Sequence, residues 1–165
     1  MPRNALRDDW LDTLKLLTGQ QMLWDVVVEG TSLREWDDAL SAIREAAGRE
    51  HDISLVEDID VPLDLVFRDQ ATNRRIVVKL LDAEAHCHFS SPDEIEFDVD
   101  PRTLTRQEGP ALLALMKILA SSTGRHCLLT PENFHHRPLL HVDPASGTIV
   151  LHDEERAARH DDQKP

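Results

Sequence analysis

The sequence is poor in cysteine, and this excludes two common ways of stabilising a small protein. Among its 165 residues only Cys87 and Cys127 are cysteines. They lie far apart and show no CxxC spacing, so the sequence encodes neither a disulfide framework nor a zinc knuckle. We expect both residues to be reduced thiols in the hydrophobic core.

Long apolar runs are also missing. No stretch approaches the 18 consecutive apolar residues of a membrane-spanning helix, and the first residues lack the basic start and apolar run of a signal peptide. We therefore expect a protein that is made and kept in the cytoplasm. The length fits one hydrophobic core, which predicts a single domain over 1–152 and a charged, flexible tail over 153–165.

Basic residues are few compared with acidic ones, and the formal net charge is -13. Residues 57–100 contain twelve Asp and Glu against four basic residues, so this segment accounts for eight of the 13 excess negative charges. Nucleic acid and anionic membranes are therefore poor partners, whereas a basic protein surface or cations would be attracted. The alternative is that the excess charge serves only solvation.

The first third of the chain has patterns typical of two helices and a strand. Apolar residues at helical spacing predict a helix over 5–17, and a valine-rich strand over 23–29 follows. The second helix begins with the capping-box spacing of Ser32 and Glu35, and Gly48 has the position of a C-cap glycine. The apolar face of this helix is expected to pack on a sheet.

The remainder is rich in strand patterns. Apolar runs separated by turn-forming residues predict an antiparallel meander. Helical spacing then extends over 105–123, where Thr105 and Glu108 fit a capping box, but Pro110 favours a start nearer Gly109. The predicted strands are 63–67, 76–81, 85–89, 95–99 and 126–129. The predicted hairpin tips are 70–73 and 82–83. A last hairpin is predicted from the segments 139–142 and 148–151. Together these elements predict an α+β fold of two layers, with helices packed on one face of a mainly antiparallel sheet.

The clearest functional pattern is the alternation of acidic and apolar residues over 94–100. On a strand this alternation directs the apolar residues into the core and Glu94, Glu96, Asp98 and Asp100 to the other face. Carboxylates on one face repel each other, so they require compensation. Three sources are open: basic residues of adjoining strands (Lys79, Arg74, Arg75), a basic partner surface, or a metal ion.

The run His86-Cys87-His88 suggests a second kind of site. Alternation on a strand places His86 and His88 on one face, where they could supply two ligands to zinc or iron. The spacing fixes no third ligand, so ordinary strand histidines are the alternative; His135, His136 and His141 could converge with this pair. No nucleophile, phosphate-loop or metalloprotease motif is present, and we expect neither an enzyme nor a bound cofactor.

Several short segments of this sequence resemble bacterial immunity proteins of polymorphic-toxin systems. They are the acidic run 93–101, the helix around Leu112 and Met116, and the segments 129–133 and 138–140. The resemblance extends over about 24–143, outside which lie the opening helix and the tail. It implies a small, acidic cytoplasmic protein that binds and blocks one cognate toxin, often a nuclease.

These observations predict a toxin-binding surface formed by Glu94, Glu96, Asp98 and Asp100 against a basic surface of the toxin. Phe134 and Trp24 are candidate hydrophobic anchors, because a few buried aromatic residues usually dominate binding energy. Two other functions are open: a metal-binding protein or metal-dependent enzyme that uses His86 and His88, and a plain interaction or oligomerisation domain. A homodimer is compatible with the sequence, because strand edges are not visible in one chain.

Overall fold

The computed structural model describes residues 6–19, 22–49 and 52–152. Within these ranges the chain forms four α-helices, eight strands and one 3₁₀ turn at Pro101–Thr103. The helices are α1 (Trp10–Thr18), α2 (Leu33–Arg49), α3 (Leu63–Arg68) and α4 (Gly109–Thr123). The strands are β1 (Trp24–Glu29), β2 (Ile53–Glu57), β3 (Arg75–Leu80), β4 (Ala83–His88), β5 (Glu94–Val99), β6 (Cys127–Pro131), β7 (Leu140–Val142) and β8 (Ile149–Leu151).

All eight strands belong to one sheet, in the order β2-β3-β4-β5-β1-β6-β7-β8. Each neighbouring pair is antiparallel. Strand β1 lies between β5 and β6, which follow it much later in the chain, while the other neighbours are connected in sequence order. The predicted α+β class is confirmed.

One face of the sheet is covered by helices. Helix α2 buries Trp36, Leu40 and Ile43, and α4 buries its apolar residues against the same core. Alternate strand residues such as Val26 and Phe97 belong to that core as well. Cys87 and Cys127 are fully buried free thiols, as predicted. The opposite face of the sheet carries the polar side chains.

The segment predicted as a strand over 63–67 is a helix, and that prediction is wrong. Leu63, Val66 and Phe67 have the spacing i, i+3, i+4, which gives α3 one apolar side. Phe67 packs edge-on against Trp36 of α2, with ring centroids 5.3 Å apart. A strand in this place would lose that contact. Residues 70–73 are therefore a link from α3 to β3. Strand β3 pairs with β2 across the connection that contains α3, and its hairpin partner is β4.

Several element ends differ from the predicted ones. Helix α2 continues through Gly48 to Arg49, so Gly48 is no C-cap. Helix α4 begins at Gly109, as Pro110 favours. One turn earlier the Glu108 carboxylate accepts hydrogen bonds from the backbone N–H and the hydroxyl of Thr105, which is one half of a capping box, while the Thr105 hydroxyl accepts from the N–H of Gln107. Helix α1 begins at Trp10. Its predicted start at residue 5 lies outside the described residues, and so does the predicted tail over 153–165. No described helix has the length and apolar character needed to cross a membrane.

Candidate functional site

The uncovered face of the sheet brings acidic residues of two strands together. In β1 the valines Val26 and Val28 point into the core, so Asp25 and Glu29 point to the open face. Antiparallel pairing sets Asp25 opposite Asp98 and Glu29 opposite Glu94. The acidic residues of β5 are therefore joined by those of the adjacent strand, which the pattern of 94–100 alone does not reveal.

Of the four acidic residues predicted as a site, three share these surroundings. The side chains of Glu94 and Glu96 are 33% and 38% exposed, and Asp98 is half-buried beside them. Asp100 lies beyond the end of β5 and accepts hydrogen bonds from the backbone and side chain of Arg102 at 2.7 to 3.2 Å. Because Arg102 stabilises its charge, the pKa of Asp100 is lowered.

Two of the three basic residues that could have compensated the acidic face form ion pairs elsewhere. Arg74 contacts Asp69 at 3.3 Å, and Arg75 contacts Glu57 at 2.9 Å. Lys79 lies opposite Glu84 in the pairing of β3 with β4. Among the described residues, no Lys or Arg lies within 4.0 Å of a carboxylate oxygen of Glu94, Glu96 or Asp98. Of the three sources of compensation that the sequence left open, these cations therefore make no contact with Glu94, Glu96 or Asp98 in the described chain.

Burial and neighbouring carboxyl groups change the proton affinity of the cluster. Burial, together with the nearby carboxyl groups of Glu94, Asp25 and Asp98, raises the pKa of Glu96 to about 8. Burial and the facing Asp25 also raise the pKa of Asp98, although His88 and His86 partly oppose this. Near neutral pH the cluster therefore retains protons that exposed carboxylates would have lost.

His135, from the loop after β6, places both of its ring nitrogens near the acidic cluster. Its Nε2 lies 3.1 Å from Asp25 Oδ2 and 3.5 Å from Glu96 Oε2, while its Nδ1 lies 3.7 Å from Glu94 Oε1. The backbone N–H of Asn133 also donates to Asp25 Oδ2, at 3.4 Å. The loop thus folds over β1 and places an imidazole between the carboxylates of both strands.

Asp25 is the site residue that the sequence patterns did not single out. It is only 2% exposed, yet its Oδ1 has no hydrogen-bond partner among the described residues. Thr130, its neighbour across the pairing of β1 with β6, is fully buried and its Oγ1 is also without a partner there. A signal was available: a charged residue inside the otherwise apolar run Trp24-Asp25-Val26-Val27-Val28 requires a special environment.

Two groups of described residues have a composition and spacing suited to a metal ion. Asp25, Glu96 and His135 place one potential ligand atom each within 4.8 Å of one another, and so do Glu29, Glu94 and His135. His86 and His88 belong to neither group. His86 Nε2 instead contacts Glu84 at 2.9 Å.

The other histidines do not converge on His86 and His88. His141 Nδ1 lies 2.7 Å from His152 Nε2, and its ring packs edge-on against that of His126. Desolvation, and then the neighbouring His152 and His126, lower the pKa of His141. His136 packs near Phe134. The convergence that the sequence left open is absent from the contacts of the described residues, in which the histidines are divided among several places.

Two clefts open on the acidic face. One, of about 540 Å³, is lined by Glu29, Glu94, Glu96 and Asp98 together with His88 and the turn before β5. The other, of about 440 Å³, is lined by Glu84, His86, Asp98 and Asp100. Both contain predicted site residues, so a ligand in either cleft would meet carboxylates and imidazoles.

Of the two candidate anchors, only one is accessible. Trp24 is fully buried, and its indole N–H donates to Thr18 Oγ1 at 3.1 Å, so its assignment as a partner-binding anchor is wrong. Phe134 is 41% exposed, one residue before His135. An apolar ring therefore lies next to the acidic cluster in the chain.

Comparison with known proteins gives no match to a family model, to a curated protein or to a solved structure.

Proposed function

We propose that this chain is an immunity protein, which binds a cognate toxin through the acidic face of its sheet and blocks access to the toxin's substrate. The observation that carries the proposal is the set Glu94, Glu96 and Asp98, which lies on an open sheet face without a Lys or Arg within 4.0 Å in the described chain. The resemblance of the run 93–101 to immunity proteins supports the same conclusion.

A basic partner would relieve the repulsion within this face. The raised pKa of Glu96, about 8, means that its carboxyl is mostly protonated at neutral pH in the free protein. A Lys or Arg of a partner would stabilise the ionised form, so binding releases a proton and gains an ion pair. A toxin with a basic substrate-binding surface, such as a nuclease, fits this chemistry. The site of action would be the cytoplasm of the cell that needs protection.

Charge complementarity mainly accelerates association, whereas buried contacts hold the complex together. Phe134, exposed and adjacent to His135, is suited to such a contact. Its replacement by Ala should accordingly increase the dissociation rate more than it changes the association rate.

The test requires the toxin, which is sought as the toxic C-terminal domain encoded next to the gene of this chain. Co-expression measures protection from growth arrest, and stopped-flow mixing at low and high salt measures association. The variant Glu94→Gln, Glu96→Gln, Asp98→Asn should associate at least about tenfold more slowly and show a flatter salt dependence. Asp100→Asn should have a smaller effect, because Arg102 already pairs with that carboxylate.

A matched control removes three charges from the exposed side of α2: Asp37→Asn, Asp38→Asn, Glu45→Gln. It removes the same number of carboxyl groups as the triple variant of the sheet face, so it measures the general effect of losing acidic side chains. An equal loss of association rate in both variants would refute a specific role of the sheet face. Failure of the unmodified chain to protect against, or bind, the neighbouring toxin would refute the immunity function itself.

A further inference from the structure

The position of His135 suggests a ligand that the acidic face would bind in the absence of any protein partner. The imidazole is directed with Nε2 toward Asp25 and Glu96 and with Nδ1 toward Glu94. One nitrogen and two carboxylate oxygens therefore converge from β1, β5 and the loop after β6. These three segments meet only in the folded chain, so the group is a product of the tertiary structure.

Buried polar atoms without partners provide a second, independent observation. Asp25 is 2% exposed, and its Oδ1 accepts no hydrogen bond from an N–H or a hydroxyl group of a described residue. Thr130 Oγ1, opposite Asp25 on the same face of the sheet, is likewise buried and unpaired within the described chain. Leaving such a group without a partner is unfavourable, and more so when the group is charged. A bound cation next to the carboxylate of Asp25 would remove that cost.

We propose that Asp25, Glu96 and His135 bind a divalent transition-metal ion of the zinc class. Metal–ligand bonds of about 2.1 Å place neighbouring ligand atoms about 3.0 to 3.4 Å apart in octahedral or tetrahedral geometry. His135 Nε2 lies 3.1 Å from Asp25 Oδ2 and 3.5 Å from Glu96 Oε2, so these pairs are already close to that spacing. A small side-chain adjustment would complete the site.

Glu94 has the position of the group that orients the histidine. Histidine ligands usually direct their second ring nitrogen toward a carboxylate or carbonyl, which fixes the tautomer and strengthens the metal bond. Glu94 Oε1 lies 3.7 Å from His135 Nδ1, within reach of such a hydrogen bond after a slight rotation. The imidazole ligand favours zinc and other late first-row transition metals over calcium, magnesium and manganese, which prefer oxygen ligands.

The remaining coordination position would face solvent. Glu96 lines the cleft of about 540 Å³, so water or a small ligand could reach the ion from that side. The proposal does not rest on the proposed toxin, since it concerns the free chain, but it shares Glu96 with that function. A failed toxin assay therefore does not refute the metal site, and a failed zinc titration does not refute the binding of a toxin.

The test titrates the full, EDTA-treated chain with ZnCl₂ in a calorimeter, and with CoCl₂ by absorption spectroscopy. His141→Asn and His152→Asn are introduced into every sample, because that close pair of imidazoles could bind zinc by itself. We expect one equivalent of zinc to bind, and a Co²⁺ spectrum with nitrogen ligation. His135→Asn should weaken binding at least about 100-fold and Glu94→Gln about tenfold, since orienting groups contribute about 10- to 100-fold in affinity.

The matched control is His86→Asn, His88→Asn, which removes two imidazoles from the same face but leaves the proposed ligands unchanged. It should bind zinc as the parent does. Asp25→Asn is also measured, although Asp25 is buried and its replacement could prevent folding. The test remains decisive because His135→Asn changes a partly exposed side chain of the loop. The proposal is overturned if the parent binds no stoichiometric zinc, if His135→Asn binds as well as the parent, or if binding disappears in the His86/His88 control.

Discussion

The charge of Glu96 should make the folded protein less stable as the pH rises. In the folded chain the pKa of Glu96 is about 8, compared with 4.5 for an ordinary glutamate, because of burial and the carboxyl groups of Glu94, Asp25 and Asp98. A carboxyl group with a raised pKa binds more protons in the folded than in the unfolded state. Its contribution to stability is therefore full below about pH 4.5 and declines as the pH rises to about 8.

The size of this effect follows from the difference between the folded and unfolded pKa and from the exposure of the side chain. A pKa difference of one corresponds to about 1.4 kcal/mol for a single, isolated group. Glu96 is 38% exposed and interacts with the carboxyl group of Asp98, so solvent screening and this neighbour reduce the value. We expect about 1 to 2 kcal/mol of stability to be lost between about pH 5.5 and 8.5 through this residue. Substitution Glu96→Gln should remove that loss.

The assay is urea denaturation of both proteins at about pH 5.5, 7.0 and 8.5, with EDTA present to exclude metal ions. The free energy of unfolding of Glu96→Gln should exceed that of the parent by about 1 to 2 kcal/mol at the highest pH and by much less at the lowest. Asp38→Asn, on the exposed side of α2, serves as the control for a general change in net charge. A constant difference between parent and Glu96→Gln across the three pH values would refute the reasoning.

Two further predictions follow from buried polar atoms. Thr130→Val should stabilise the metal-free protein by about 1 kcal/mol, because it removes an unpaired, fully buried hydroxyl and keeps a similar side-chain shape. Urea denaturation measures this change. A loss of stability would mean that the hydroxyl has a hydrogen-bond partner. Cys87 and Cys127 should react with a thiol reagent only after unfolding, since burial raises the pKa of both thiols and blocks access. Reaction of either thiol within minutes in native buffer would contradict this.

Local patterns predicted much of the fold because they reflect contacts between each element and the core. The alternation in 94–100 predicted β5 with Ile95, Phe97 and Val99 buried, since a strand has a period of two residues whatever its partners are. The amphipathic spacing and capping box of α2 were also predictive. The run 63–67 failed because five residues with apolar positions at both strand and helix spacing are ambiguous, and packing of Phe67 on Trp36 favours the helix.

The sequence by itself determined an acidic, α+β chain with two buried thiols and an outward-facing acidic strand. The tertiary structure decided what that strand faces. Strand order placed β1 between β5 and β6, so Asp25 lies opposite Asp98, and the chain turns to set His135 against a residue 110 positions earlier. Arg74 and Arg75 form ion pairs with Asp69 and Glu57, and not with the acidic strand. Periodicity is a local property of a sequence, whereas the pairing of distant strands depends on the free energy of the whole core, and so the composition of the site became visible only in the folded chain.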